Sequence, residues 1–187
     1  MEILYRDTLP QFKEHHLEYY SKAIELKKTF TSVSDWRSDT YNTLNAYDLR
    51  DDPLFEDLIS DITKEVILFS KQFGVVSEYI ECTAAWINIS EPGNYQEYHL
   101  HTNNHFSAVY YLKVPLKSGD IVFRSASCQT DMYPLPIKTI EMANYKTFTV
   151  SPEESELLIF RSNLMHMVEK NKSDDTRVSI ALNFNIK

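Results

Sequence analysis

The chain is poor in several features that define other classes of protein. It has two cysteines, Cys82 and Cys128, and neither belongs to a Cys-x-x-Cys pair. This excludes a disulfide framework and predicts a reducing, cytoplasmic setting. Only three glycines occur among the 187 residues, which excludes flexible low-complexity segments. No apolar run approaches the roughly 18 residues of a membrane-spanning helix, so no membrane partner is expected.

Basic clusters are also scarce in this chain. The formal net charge is −8, and the nearest approach to a basic cluster is the pair Lys27-Lys28. A protein that grips nucleic acid normally carries a basic stripe that neutralises phosphates, so tight nucleic-acid binding is not expected. The first residues show no basic stretch followed by an apolar one, and we expect no secretory signal.

Two amphipathic helices are predicted in the first 75 residues. Apolar side chains recur every three to four positions over 11–30 and 53–72. Asp52 and Pro53 suit the start of the second helix, and Gly74 suits a left-handed stop after it. The polar stretch between the two helices is predicted to be loop with a short strand.

After residue 75 the apolar period changes to that of β-strands. Strands are predicted at 79–90, 106–114, 120–124, 146–150, 156–161 and 177–186. Helices followed by many strands favour an α+β fold, mainly β, built on an antiparallel sheet or barrel. We predict one domain over 1–187, with a helical support region at 1–75 and a β core at 76–187.

The last predicted strand has two faces of different chemistry. Val178, Ile180, Leu182, Phe184 and Ile186 form an apolar face that suits packing on the helices. The other face begins with Arg177 and Ser179 and should look into a polar cavity or onto solvent.

Three histidines have the spacing of a metal site. His99 and His101 lie two apart after a Pro-Gly turn, so an extended backbone points both rings to the same side. His166 follows the strand at 156–161 and a turn. Together they can converge on one ion at about 2.0–2.2 Å. Three imidazoles suit Fe(II), Zn(II), Cu(II) or Ni(II), and spacing alone does not choose among them.

The arginine on the last strand needs an anionic partner if it faces a barrel interior. An unpaired buried charge is very costly, and no acid lies on the same face of that strand. A bound carboxylate would satisfy Arg177 bidentately, and the Ser179 hydroxyl would add a hydrogen bond. The alternative is an internal salt bridge to an acid elsewhere in the chain.

These residues resemble the 2-oxoglutarate/Fe(II)-dependent oxygenases, over about residues 80–187. The nearest resemblance is to a branch, often phage or bacterial, with His-x-His and a Ser-Gly-x-Tyr-Tyr-like strand. The matching motifs are Trp86-Ile-Asn-Ile, Pro92-Gly-Asn-Tyr, His99-Leu-His101, Ser107-Ala-Val-Tyr-Tyr-Leu112, the strand into His166, and Arg177-Val-Ser179. The resemblance implies a double-stranded β-helix, a cupin-like jelly roll flanked by the N-terminal helices, with Fe(II) inside one open end.

The resemblance also implies roles for individual residues. His99 and His166 match the two histidine ligands of the family, and His101 stands where most members carry Asp or Glu. Arg177 matches the residue that pairs with the far carboxylate of 2-oxoglutarate, helped by Ser179.

Two further points follow from the resemblance. Tyr111 matches a tyrosine that hydrogen-bonds the same cosubstrate. A turn at Pro152-Glu153-Glu154-Ser155 replaces the glycine usual in the family, and we expect only the turn type to change.

The activity that the resemblance implies is a dioxygenase. It would hydroxylate an unidentified small-molecule or peptide substrate and release succinate and CO2. Specificity would lie in the N-terminal segments and in the loop at about 125–146. Two alternatives stay open, a three-histidine cupin-like dioxygenase that uses no 2-oxoglutarate and a non-enzymatic jelly-roll binding module. The oligomeric state, a homodimer included, is also open.

Overall fold

The computed structural model describes residues 4–32, 37–77, 79–125, 136, 138–139 and 146–187. Within these ranges lie two α-helices, α1 (His16–Thr29) and α2 (Glu56–Ser70), each preceded by a short 3-10 turn. None of the described helices is long and apolar enough to cross a membrane. The strands are β1 (Tyr5–Thr8), β2 (Tyr41–Asn42), β3 (Ile80–Ser90), β4 (Gln96–His99), β5 (Phe106–Lys113), β6 (Ile121–Arg124), β7 (Thr147–Val150), β8 (Glu156–Arg161), β9 (His166–Val168) and β10 (Arg177–Ile186).

The strands form two antiparallel sheets. The larger has the order β1-β8-β5-β10-β3-β2, and the smaller has the order β4-β9-β6-β7. Their inner faces meet in a compact apolar cluster to which β5, β6, β7 and β8 contribute Tyr111, Ile121, Phe123, Val150, Leu158 and Phe160. This is the predicted jelly roll, and the α+β, mainly β class is confirmed.

The helices cover the outer face of the larger sheet. Leu58, Ile62 and Val66 of α2 are fully buried and belong to the main apolar cluster. The same cluster contains the apolar face of β10, from Val178 to Phe184. The predicted apolar face of β10 is therefore confirmed. Its other face, which carries Arg177, lines the cavity between the sheets.

The second helix begins and ends where the sequence predicts. The Asp52 side chain accepts a hydrogen bond from the Leu54 amide at 3.0 Å, which satisfies one of the free donors of the first turn. Gly74 closes the C-terminal end with a left-handed φ of 73°.

Three short strands, β1, β4 and β9, are not among the predicted strands. They have four, four and three residues, too few to show a period of two. β1 and β2 also show that the N-terminal region contributes strands as well as helices to the domain. Cys128 and most of the predicted specificity loop at 125–146 lie outside the described residues.

The turn that replaces the usual family glycine is present and places Ser155 at a positive φ of 67°. Two backbone bonds hold this conformation, from the Ser155 amide to the Tyr111 carbonyl at 2.9 Å and from the Leu9 amide to the Ser155 carbonyl at 2.8 Å. These two long-range hydrogen bonds therefore offset the backbone strain of a non-glycine residue at positive φ.

Gly119 is the glycine that the fold can least replace, and its substitution is a direct test of the packing. Its φ is 97°, and an added Cβ would lie 2.3 Å from the Glu169 carbonyl oxygen. We expect Gly119→Ala to lower the free energy of unfolding by about 3 kcal/mol or more, since clash adds to backbone strain. Gly74→Ala is the matched control, because its φ is 73° but no atom lies within 4 Å.

The control should cost only the strain of the left-handed backbone, about 1–2 kcal/mol. Urea unfolding of both variants measures the difference. Equal losses would show that the close approach at residue 119 does not exist in solution.

Candidate metal centre

The three predicted histidines meet on the inner face of the smaller sheet. His99 ends β4 and His166 begins β9, and the register places these two residues directly opposite each other. His101 follows β4, where its amide donates to the Ser162 carbonyl at 2.9 Å. Sheet pairing and one loop hydrogen bond therefore fix all three backbone positions.

Their rings converge closely. The centroid distances are 4.2 Å between His99 and His166, 5.3 Å between His99 and His101, and 5.2 Å between His101 and His166. One nitrogen from each ring lies within 4.8 Å of the other two. Within the described residues this is the one group of three or more histidine, cysteine or acidic side chains arranged to hold an ion.

Backbone carbonyls select the tautomer of two of the rings. His99 Nδ1 lies 2.8 Å from the Glu97 carbonyl, and His166 Nδ1 lies 2.9 Å from the Leu164 carbonyl. A carbonyl only accepts, so each Nδ1 carries the proton and donates it. Each Nε2 is then left with a lone pair for a metal, which is the usual way that histidine ligands are oriented.

The spacing of the nitrogens fits a shared ion. His101 Nε2 and His166 Nε2 are 3.4 Å apart. Two ligands at about 2.0–2.2 Å from one metal, with bond angles near 90–110°, lie about 3.0–3.5 Å from each other. The nearby Glu97 carboxylate is used elsewhere, since it accepts the Arg37 amide at 3.2 Å. The side chains that could hold an ion here are therefore the three imidazoles.

Burial keeps these imidazoles neutral. It lowers the pKa of His99, and it lowers the pKa of His101 to about 4, with proximity to His99 adding to the effect. The pKa of His166 falls well below its ordinary value through burial and then through His99 and His101. All three are in the form that binds metals at neutral pH.

The three histidines line a cavity of about 340 Å³ between the sheets, and Arg177 lines the same cavity. Arg177 is 4% exposed and donates from one guanidinium nitrogen to the Gly119 carbonyl at 2.9 Å. Burial lowers its pKa, although a guanidinium stays charged at neutral pH. No carboxylate among the described residues forms an ion pair with it.

Two hydroxyl groups accompany the arginine. The Tyr111 ring lies 5.7 Å from the guanidinium carbon, and its hydroxyl is buried without a hydrogen-bond partner among the described residues. Burial raises the pKa of Tyr111 to about 12, so this hydroxyl is a donor at neutral pH. Ser179 lies opposite Tyr111 on the adjacent strand and lines the same cavity.

Several neutral side chains of the cavity are not among the residues predicted from the sequence. Five carboxamides besides the predicted residues line it: Asn42, Asn88, Gln96, Asn104 and Asn183. Asn183 shares its strand face with Arg177, and that parity was the available signal. The Gly119 carbonyl that holds Arg177 had no such signal, because a backbone oxygen looks the same at every position.

A sequence model of the family described as "Putative 2OG-Fe(II) oxygenase" matches residues 84–183, which is more than half of the chain. The chain belongs to this family of 2OG-Fe(II) oxygenases. It is accordingly an oxidoreductase with Fe(II) and 2-oxoglutarate as its cofactors. Membership decides against the cosubstrate-free dioxygenase and the non-enzymatic module that the residues alone left open.

Solved structures share the fold at low sequence identity. A Pseudomonas putida prolyl-4-hydroxylase has a TM-score of 0.70 at 13% identity, covering 100% of this chain and 94% of its own. The viral collagen prolyl hydroxylase vCPH from Paramecium Bursaria Chlorella virus-1, in complex with 2OG, has 0.65 at 12% identity, covering 98% and 96%. HygX from Streptomyces hygroscopicus, with nickel and 2-oxoglutarate bound, has 0.64 at 12% identity, covering 98% and 83%. No curated protein matches the chain in sequence.

The depressed histidine pKa values predict how the metal-free protein responds to acid. The unfolded chain binds protons near the ordinary pKa of about 6.5, whereas folded His101 binds them only near a pKa of about 4. Stability from these neutral rings is therefore full above about pH 6.5 and falls as the pH decreases towards 4. Urea unfolding at about pH 7 and about pH 5 should show the loss, and His101→Gln should reduce it. An unchanged pH dependence in the variant would contradict the burial of this ring.

Proposed function

We propose that this oxygenase holds Fe(II) with His99, His101 and His166 and hydroxylates a small-molecule or peptide substrate, releasing succinate and CO2. The observation that carries the proposal is a buried guanidinium with no carboxylate partner among the described residues, in the same cavity as three converging imidazoles. The prolyl hydroxylases among the similar structures support hydroxylation as the outcome.

Arg177 determines which group of the cosubstrate fits the cavity. A buried charge without a counter-ion is strongly unfavourable. Among the described residues Arg177 donates one hydrogen bond, to a neutral carbonyl. The far carboxylate of 2-oxoglutarate would supply both the opposite charge and the paired acceptors that a guanidinium fork prefers. Tyr111 and Ser179 would each donate a hydroxyl hydrogen bond to the same end of the cosubstrate.

The charge of the metal ligands also affects the binding of the cosubstrate. Three neutral imidazoles leave the full 2+ charge of the ion, one unit more than the usual site with a carboxylate at position 101. The 2-oxoglutarate dianion offsets that charge when it binds, so His101 is compatible with the family chemistry. A two-histidine site completed by water would result if His101 did not bind, and variants at this position decide the matter.

The roles of protein and cofactor are distinct. Bound Fe(II), with 2-oxoglutarate and O2, supplies the oxidation that converts a C–H bond to an alcohol. The three histidines would hold the ion, and Arg177 would position the cosubstrate. The walls of the two sheets would surround both and limit the access of water.

Replacing the arginine should separate cosubstrate binding from iron binding. Arg177→Gln removes the positive charge and the paired N–H donors of the guanidinium. We expect the affinity for 2-oxoglutarate to fall about 100-fold or more. Arg177→Lys keeps the charge but loses the paired geometry, so its loss should be intermediate. Anaerobic titration of the Fe(II) protein with 2-oxoglutarate, followed by its visible charge-transfer band, measures both.

Iron affinity provides the internal control, because Arg177 is not among the proposed ligands. A variant that loses iron and 2-oxoglutarate equally would point to misfolding. A variant that binds 2-oxoglutarate as the parent does would refute the assignment of the arginine.

Variants of the histidines test the three-imidazole site. His166→Ala should abolish stoichiometric iron, whereas His101→Asp restores the usual donor set and should retain it. His101→Ala should weaken iron binding by an order of magnitude or more if the ring coordinates. Iron content after anaerobic loading and desalting reports all three. Parent-like iron affinity in His101→Ala would instead support the two-histidine site.

A further inference from the structure

One part of the cavity is not used by iron or 2-oxoglutarate in the proposed arrangement. Along the inner face of β10 the residues run from Arg177 through Ser179 and Ala181 to Asn183. The arginine anchors one end of this row, so Asn183 lies about 20 Å further along the strand, at the other end of the cavity. A subsite for substrate is expected at that end.

The hydrogen bonds of Asn183 define what it can offer. Its Oδ1 accepts from the Ser107 hydroxyl at 2.8 Å, and that hydroxyl is also 2.8 Å from the Ser162 hydroxyl. The acceptor of the amide is thus engaged, and its NH₂ group has no partner among the described residues. Ser162 also accepts the His101 amide through its carbonyl, which ties this end of the cavity to the histidines.

Trp86 offers a second donor beside the histidines. Its ring centroid lies 5.7 Å from that of His101, and the residue is 6% exposed. The indole N–H can only donate, and no described residue accepts it. Trp86 lies opposite Ala181 in the sheet, so it is a diagonal neighbour of Asn183 on the same face.

The surroundings of these two donors are neutral. Among the described residues that line the cavity, Arg177 alone carries a charge at neutral pH, and it lies at the opposite end. The lining includes two exposed apolar side chains, Leu44 at 45% and Leu100 at 40% exposure. A charged group seated by Asn183 would lose water without gaining an ionic partner.

We propose that the substrate group held by Asn183 and Trp86 is an uncharged hydrogen-bond acceptor, such as an amide carbonyl, on a molecule with an apolar flank. Two unpartnered neutral donors match one carbonyl oxygen with its two lone pairs. A carboxylate or an ammonium group is the wrong chemistry for this subsite. The inference rests on the proposed function, because it needs 2-oxoglutarate to occupy the Arg177 end.

Three small probes of nearly equal shape test the subsite. Benzamide carries the neutral acceptor, benzoate carries a carboxylate, and the benzylammonium ion carries a cation, each on an apolar ring that suits Leu44 and Leu100. The protein is loaded with Ni(II) and saturating 2-oxoglutarate, so no turnover occurs and benzoate is kept from the Arg177 end. Ligand-observed NMR titration should show benzamide binding about tenfold more tightly than either charged probe.

Asn183→Asp tests the assignment of the donor. The carboxylate still accepts from Ser107, so packing is retained, but both amide donors are replaced by a negative charge. We expect benzamide affinity to fall about tenfold and the benzylammonium ion to become the preferred probe. Asn185→Asp is the matched control. Asn185 bonds to His105 outside the cavity, and its replacement by Asp adds the same charge to the same strand. It should leave the parent order of probes unchanged.

Nickel content and 2-oxoglutarate affinity, measured on the same samples, separate the two hypotheses. A parent protein that fails to hold either one contradicts the proposed function. A loaded parent protein that shows no preference for benzamide, including one that binds none of the probes, overturns the inference. An Asn183→Asp variant with parent selectivity overturns it as well.

Discussion

The pairing of His99 with His166 across β4 and β9 is the contact on which the site depends. Side chains alternate between the faces of a strand, so a slip of one residue in this register would turn one ring out of the barrel. The neighbouring carbonyls of Glu97 and Leu164 then set the ring tautomers. The backbone thus orients the ring nitrogens before any ion binds. Arg177 on the facing sheet supplies a positive charge beside them.

The sequence predicts the larger part of the fold because its long elements carry strong periodic signals. α2 repeats its apolar residues every four positions, and β10 alternates over ten residues. β4 and β9 are too short for a period, and their pairing joins residues almost seventy positions apart. Only the assembled barrel can stabilise such strands, so local propensity does not reveal them.

The candidate site also has residues that the sequence predicts and residues that it does not. Histidine and arginine have distinctive chemistry, so their spacing predicts a metal centre with an anion arm. Neutral carboxamides such as Asn183 are common on surfaces and in turns, and only their position inside a cavity gives them meaning. That Arg177 has no acidic partner among the described residues also depends on contacts between distant segments. The sequence alone had left an internal salt bridge open, and the three-dimensional arrangement removes it for those residues.

The place of β10 in the larger sheet has a consequence for biosynthesis. It lies between β3 and β5, yet both of those strands leave the ribosome earlier. Until β10 arrives, each of them has an unpaired edge that can join other chains. Completion of the sheet is therefore a late, long-range event, which favours slow folding and a role for chaperones in the nascent chain. The same strand carries Arg177, so the proposed contact with the far carboxylate of 2-oxoglutarate can form only when the barrel closes.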